Sequence, residues 1–381
     1  MYGPRFKELR RAYGFEDVAI VPGEVTINPD LANTSFTLGQ HTFSIPVLAS
    51  AMDGVVDPAF AIKMGQLGGL AVLNLEGVHG RYDNPDEVLD QIAQASKEEI
   101  TPLFQKIYSA PIKEAAIGNC IAKIKDGNVV CAVSVTPQNT KRLAPVAVEA
   151  GADILVVQST VTTARHVSRS YKGLVFSEFC QQISIPVVVG NSVGYNTALE
   201  LMETGIEGLL VGVGPGAACT SREVLGIGVP QISATIECAA ARDEYARRAG
   251  RYVAVITDGG IRTGGDLCKS VAAGADAVML GTPLAQAYED PGHGYNWGMA
   301  SPHPTLPRGI RIEVGTKGSL EQILMGPSSV TDGTQNLIGA LRTAMGICGA
   351  LTIKDMHQAE MIIAPSIKTE GKIFQMRQLF N

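Results

Sequence analysis

Short runs of β-branched and apolar residues recur along the chain, separated by stretches whose apolar positions return at helical spacing. The runs are Val47–Ser50, Leu70–Asn74, Val129–Val135, Ile154–Gln158, Val187–Gly190, Leu209–Gly212, Tyr252–Thr257 and Ala277–Gly281. Each is nearly continuous rather than alternating, the pattern of parallel strands buried on both faces. Between them the spacing predicts helices, among them Asp86–Ala95, Glu98–Tyr108, Asn196–Thr204 and Gly265–Ala273. Gly-Ala-Asp introduces two of the strands, at 151–153 and 274–276, and Gly205-Ile-Glu207 stands before a third. A glycine that closes a helix just ahead of a strand is the usual αβ joint. Eight β/α alternations predict an α/β fold, a (β/α)8 TIM barrel, with a doubly wound open sheet as the alternative.

Polar residues decide between the two. Ser50, Asn74, Gln158, Asn191, Asp258 and Thr282 all stand at or just past the carboxyl ends of predicted strands. In a barrel that rim carries the active site. A barrel takes about 250 residues. The surplus lies in an N-terminal segment (1–45), an excursion after the eighth strand (283–325), and a C-terminal helix and tail (335–381). The expectation is therefore one barrel domain over residues 1–381.

Composition narrows the function. The chain is 45% apolar and 18% charged, with a formal net charge of −6. That balance speaks against a nucleic-acid partner, which favours a basic face. No apolar run reaches the ~20 residues of a membrane span, and the opening MYGPRFKELRRAYG lacks the apolar core of a signal peptide. A soluble, cytoplasmic protein is expected. The seven cysteines show no CxxC spacing, so neither a zinc ribbon nor a disulfide framework is suggested.

Most of these cysteines read as small core residues. Cys219 does not, because it closes the glycine-rich run GVGPGAACTS (212–221) after the sixth strand. A thiol on that rim, with a helix predicted to start near Ser221, has the address of a nucleophile. The same loop offers backbone carbonyls at Gly214, Gly216 and Cys219 to a monovalent cation such as K+. The seventh and eighth strands end in Asp258-Gly259-Gly260 and Gly281-Thr282. Glycines there let backbone N–H groups approach a phosphate, and Asp258 is suited to accept hydrogen bonds from a ribose. Together they suggest a nucleotide.

These motifs, in order, resemble the IMP dehydrogenase/GMP reductase family, in its branch without CBS domains. The match runs from GFEDVAIVPG (14–23) and IPVLASAMD (45–53) through VVVGNS (187–192) and GVGPGAACTSREVLGIGVPQ (212–231). It continues through TDGGIRTGGDLCKSVAAGADAVMLG (257–281), GMAS (298–301) and KGSLEQIL (317–324). The resemblance implies that Cys219 attacks purine C2, with Thr220 and Ser221 beside it. It assigns the nucleotide to Ser50, Met52, Asn191, Gly216, Asp258, Gly259, Gly260, Gly281 and Thr282, with the backbone of Gly298, Met299 and Ala300 reading the base edge. A nicotinamide cofactor would pack beside Gln158, Ser159 and Thr160, with Gly212 and Gly214 on the same side. Homotetramers or octamers are the family's usual assemblies, and the tail 371–381 is a candidate intersubunit arm.

Two reactions start from the same covalent state. A dehydrogenase passes hydride from IMP to NAD and hydrolyses the adduct to XMP. A reductase expels ammonia from GMP and takes hydride from NADPH to give IMP. The dehydrogenase carries a flap with an Arg-Tyr pair; here only SPHPTL (301–306) separates GMAS from Pro307-Arg308-Gly309, and Arg251-Tyr252 opens the seventh predicted strand instead. The expected activity is thus GMP reductase, with IMP dehydrogenase or a catalytically silent purine-nucleotide binder as alternatives. Arg308 stands where the family has an acidic or amide residue near the purine, with Glu289, Asp290 or Glu313 as candidate substitutes. Gln158 replaces a family aspartate, and the lost charge suits the extra phosphate of NADPH. His293 and His303 are expected near the mouth, and Trp297 is expected to pack the excursion.

Overall fold

A computed structural model describes residues 7–167, 173–298, 303–366, 369–370 and 372. Three short strands lead in: β1 (Val18–Ile20), β2 (Phe36–Leu38) and β3 (His41–Phe43). Eight parallel strands follow: β4 (Val47–Ala49), β5 (Leu70–Asn74), β6 (Ala132–Val135), β7 (Ile154–Gln158), β8 (Val187–Ser192), β9 (Gly208–Val211), β10 (Ala254–Asp258) and β11 (Ala277–Leu280). They pair in sequence order, and β11 closes on β4 through Val278↔Val47 to complete the barrel. The open-sheet alternative is thereby excluded. Helices α1 (Pro58–Gln66), α2 (Pro85–Gln94), α3 (Ile100–Ser109), α4 (Glu114–Asp126), α5 (Thr140–Glu149), α6 (Phe176–Gln182), α7 (Tyr195–Met202), α8 (Ser221–Leu225), α9 (Gln231–Ala249) and α10 (Gly264–Ala272) alternate with the strands.

Two strand starts differ from the pattern's prediction by more than one residue. The third barrel strand starts at Ala132 rather than Val129, and the seventh at Ala254 rather than Tyr252. In the second case the aromatic belongs to a different job: Tyr252 Oη donates to Asp276 at 2.5 Å below the barrel. Helix α4 was not anticipated either, because its small residues, Ala115, Ala116, Gly118 and Ala122, dilute the apolar stripe. The Gly-Ala-Asp repeat has a shared geometry. Gly151 and Gly274 take φ of +96° and +104°, which only glycine adopts easily. The aspartate then reaches back to the preceding strand: Asp153 accepts from Cys131 N at 2.7 Å and Asp276 from Val255 N at 2.8 Å.

The barrel interior is filled by Leu48, Leu70, Val72, Ile154, Val156, Val188, Leu210, Ile256 and Met279, all 0–1% exposed. The antiparallel hairpin β2–β3 stoppers its amino end with Phe36, Leu38 and Phe43, which join the same apolar cluster. Burying each such side chain stabilises the fold by about 1.5–3 kcal/mol. Past the barrel, the excursion forms the hairpin of β12 (Tyr295–Trp297) and β13 (Arg311–Glu313). Then come α11 (Leu320–Met325), α12 (Leu337–Ile347), α13 (Ile353–Met356) and β14 (Met361–Ile363), which pairs antiparallel with β1. No helix among the described residues is long and apolar enough to cross a membrane.

Candidate functional site

With the amino end stoppered, the carboxyl rim is left open. A cavity of about 1000 Å³ lies there, lined from every strand of the barrel. That is the upper end of the ~300–1000 Å³ usual for one small ligand.

One side of the cavity is built from backbone. The loop after β9 runs through Gly212, Gly214 and Gly216 to Cys219, whose N–H donates to Gly216 O at 3.0 Å. That bond occupies part of one carbonyl expected to face a cation. Cys219 is half-buried, and its thiol donates to Ser221 Oγ at 3.2 Å, just where α8 begins. Gly212 has no room for a side chain: a Cβ there would meet Asp258 O at 2.2 Å. Gly259 and Gly260 have φ of +90° and +79° and lie against Pro215, so the β10 loop and the Cys219 loop share a wall. Asp258, at the end of β10, accepts from Asn191 Nδ2 at 2.7 Å. Burial pushes its carboxyl up to about 6 against the opposing pull of that amide. Gly281 follows β11 with Ser50, Met52 and Asn296 around it, and Asn296 Nδ2 donates to Thr282 Oγ1 at 3.3 Å.

Met52 is held from behind. Asp53 is fully buried, accepting from Val78 N and Tyr108 Oη, both at 2.8 Å, and Tyr108 in turn accepts from Trp297 Nε1 at 2.8 Å. Burial, the largest influence on the Asp53 carboxyl, raises it above the usual range. Trp297 is fully buried against Phe104, the packing role expected of it.

The opposite side is built from side chains of which the sequence reading singled out Asn74, Gln158, Ser159 and Thr160 alone. Asn74, Glu76, Arg81, Ser134, Thr136 and Gln138 line it together with Gln158, Ser159 and Thr160. Glu76 is the knot: its carboxylate accepts from Thr136 N at 2.6 Å, from Thr136 Oγ1 at 3.1 Å and from Asn139 Nδ2. Gln158 closes β7 with a buried Oε1 that has no hydrogen-bond partner among the described residues. Ser159 Oγ is turned back to Val161 O at 2.8 Å.

The excursion roofs both sides. Gly309 N donates to Thr220 Oγ1 at 2.9 Å and Ile310 N to Ala218 O at 3.1 Å, so this segment is clasped on either flank of Cys219. Arg308 lines the cavity and its Nη1 reaches Thr160 Oγ1 at 3.4 Å, on the Gln158 side. The three acidic residues expected to substitute at the purine are engaged elsewhere. Glu289 accepts from Leu320 N at 2.8 Å, Asp290 from Gly294 N at 3.1 Å, and Glu313 is exposed on β13. His303 lines the cavity, whereas His293 pairs with Asp90 at 3.1 Å. Gly298 lines the cavity, but Met299 and Ala300 lie outside the described residues, as does the tail 371–381 apart from Lys372. Among the described residues no group of three His, Cys, Asp or Glu side chains is placed to hold a metal ion.

A closed parallel barrel with a thiol, a carboxylate and glycine loops gathered at its carboxyl rim has the architecture of the (β/α)8 enzymes. Residues 12–371 match the family model for the IMP dehydrogenase / GMP reductase domain, and the chain belongs to that family of oxidoreductases. A protein of Mycolicibacterium smegmatis described as an uncharacterized oxidoreductase is 42% identical over 94% of this chain and 98% of its own length. Inosine-5′-monophosphate dehydrogenase of Cryptosporidium parvum is 29% identical over 96% and 94% of the two chains. The crystal structure of an IMP dehydrogenase/GMP reductase-like protein from Corynebacterium glutamicum superposes with a TM-score of 0.90 at 36% identity, covering 95% of this chain and 96% of that one.

Proposed function

We propose that the protein is a GMP reductase-type oxidoreductase that converts GMP to IMP and ammonia with NADPH. The observation that carries this reading is the Cys219 thiol, held beside Ser221 in the same cavity as the Asn191–Asp258 pair, together with a connection after Ala300 too short for a hydrolytic flap. Residues 299–308, MASPHPTLPR, hold no tyrosine and hence no Arg-Tyr pair to activate water.

In this mechanism Cys219 Sγ, as thiolate, forms a bond to purine C2. The bond from C2 to the exocyclic nitrogen breaks, and ammonia leaves with the protons that neutralise it. The nicotinamide supplies a hydride when bound. Purine C2 receives it, and the C2–S bond breaks to return the thiolate. Ser221 orients the thiol, and Asp258 accepts from the ribose hydroxyls. Gly216, Gly259, Gly260, Gly281 and Thr282 hold the phosphate, and Ser50, Met52 and Gly298 bound the purine. The cofactor half fits a nicotinamide in one respect: Gln158 keeps an unsatisfied buried acceptor there, open to a carboxamide N–H. Arg308, beside Thr160, adds a positive charge on that half, which suits an anionic dinucleotide. K+ at the carbonyls of Gly214, Gly216 and Cys219, a homotetrameric or octameric assembly and a cytoplasmic location complete the reading.

The dehydrogenase reading, IMP and NAD to XMP and NADH, is favoured by His303, an imidazole at the mouth in reach of water. Its Nδ1 accepts from Leu306 N at 2.9 Å, which leaves Nε2 carrying the proton in the neutral ring and so ill-suited as a base. The deciding experiment mixes the pure protein with GMP plus NADPH, or IMP plus NAD, and follows nicotinamide absorbance. Oxidation of NADPH with GMP supports the proposal; NADH formed with IMP overturns it. Silence in both, with IMP still bound, points to a nucleotide-binding protein without turnover.

A further inference from the structure

Asn296 is a residue that the motifs did not single out. It sits at the centre of β12, paired with Ile312 of β13, and is 2% exposed. Alternation along the strand explains its direction. Tyr295 and Trp297 point one way, the first under Arg311 at 4.4 Å and the second against Phe104. Asn296 points the other way, into the barrel mouth, where it lines the cavity. Its Oδ1 has no hydrogen-bond partner among the described residues, although the atom is buried. A buried amide left half satisfied in this way is costly, and native proteins rarely keep one without use.

With Oδ1 unpartnered, Nδ2 is the amide's engaged atom, and the hydrogen-bond inventory shows what its bond can do. Thr282 has a single hydroxyl proton. Because Asn296 Nδ2 donates to Thr282 Oγ1 at 3.3 Å, the Thr282 proton is free to point away from the amide. The surroundings are narrow: a Cβ built on Gly281 would lie 3.6 Å from both Asn296 Nδ2 and Ser50 Oγ and only 3.2 Å from Met52 Sδ, so a side chain at 281 would crowd the cavity face that these residues line with Thr282. We propose that Asn296 is a positioning residue that polarises Thr282, so that the chain Asn296 Nδ2–H to Thr282 Oγ1–H presents a directed donor to a phosphate monoester. This rests on the nucleotide reading of the site. The relay has a fixed polarity, selecting a ligand that accepts. A carboxylate at position 296 would reverse it by drawing the Thr282 proton to itself, and would add a negative charge facing the phosphate.

The test is calorimetric titration of the full chain with inosine 5′-monophosphate and with inosine. In the wild type the monophosphate should bind more tightly than the nucleoside. In the isosteric variant Asn296→Asp that preference should fall by about tenfold or more, the scale of a hydrogen bond to a charged group, while inosine affinity stays within about twofold. Thr282→Val should lose the hydrogen-bonded part of that preference, and adding Asn296→Leu, which removes the amide without introducing a charge, should lose nothing further, as expected of two links in one chain. Parallel weakening of both ligands in Asn296→Asp, or an unchanged preference, overturns the relay and leaves the nucleotide reading standing. A wild type that does not distinguish the two ligands removes the phosphate grip itself, and the relay with it.

Discussion

The two sides of the cavity solve the problem of recognition with different materials. Around β9, β10 and β11 the wall is main chain: Gly212 packed against Asp258 O, Gly259 and Gly260 turned against Pro215, Gly281 hemmed in by Met52 and Ser50. Around β5, β6 and β7 it is side chain, with Glu76 gathering Thr136 and Asn139 and with Gln158 at the end of β7. The glycine side presents N–H groups whose direction is fixed by φ, suited to an anion of invariant shape. The side-chain side can change its donors and acceptors by single substitutions without disturbing the barrel. On the proposed reading, such a division assigns the nucleotide to the first side and leaves the choice of second ligand to the other.

The comparison can be broken at its strongest point. Cys219→Ala should lower turnover by at least about 10³-fold, as loss of a nucleophile does, while the affinity for IMP by calorimetry changes less than about twofold. Retained turnover would remove the thiol from the chemistry. On the other side, Glu76→Ala leaves the half-buried Thr136 N–H without its acceptor, and should cost on the order of 1–2 kcal/mol in urea unfolding. Its effect on function should fall on the KM for the nicotinamide rather than on nucleotide affinity; a loss shared equally would erase the division.

Asp258 sharpens the comparison through pH. Its folded carboxyl titrates at about 6, above the 3.8 of the free side chain. The ionised form is therefore disfavoured in the fold, and stability falls as pH rises through this window. Asp258→Asn should raise the melting temperature at pH 8, with the gain shrinking as pH falls below about 6 and gone below the unfolded value. Binding has the opposite sign, because a ribose hydroxyl is accepted best by the carboxylate. Inosine carries no phosphate to titrate near pH 6, so its affinity should weaken as pH drops through about 6 in the wild type and be about tenfold lower but flat in Asp258→Asn. The smallest effect is expected at Gln158→Leu: a slight gain in melting temperature from removing an unpaired acceptor, and a several-fold rise in the KM for the nicotinamide with IMP affinity unchanged.

The glycine side was legible because its signals are local. A glycine run, an Asp-Gly-Gly and a Gly-Thr each fall within a few residues, just after a continuous apolar strand, so periodicity and composition place them on one rim. The eight strands were legible for the same reason, to within three residues at each end. The side-chain side was not, because its bonds are long-range: Glu76 meets Thr136 across sixty residues and Asp53 meets Tyr108 across fifty-five. No spacing rule links such positions. Arg308 shows the same limit, since its sequence neighbours give no sign that its guanidinium turns to Thr160. Asn296 lies between two aromatics that attract attention, and only the direction of β12 reveals that it faces the opposite way.

The clasp between Ala218, Thr220 and residues 309–310, continued by Arg308 to Thr160, joins the edge of one half to the edge of the other. On the proposed reading, a ligand on either side that tightens this clasp removes freedom the other no longer has to remove, so occupancy of one half should raise the affinity of the other. The enhancement must be equal in both directions, by thermodynamic linkage. A few hydrogen bonds at the lip of the barrel thereby give two separate recognitions the arithmetic of cooperativity.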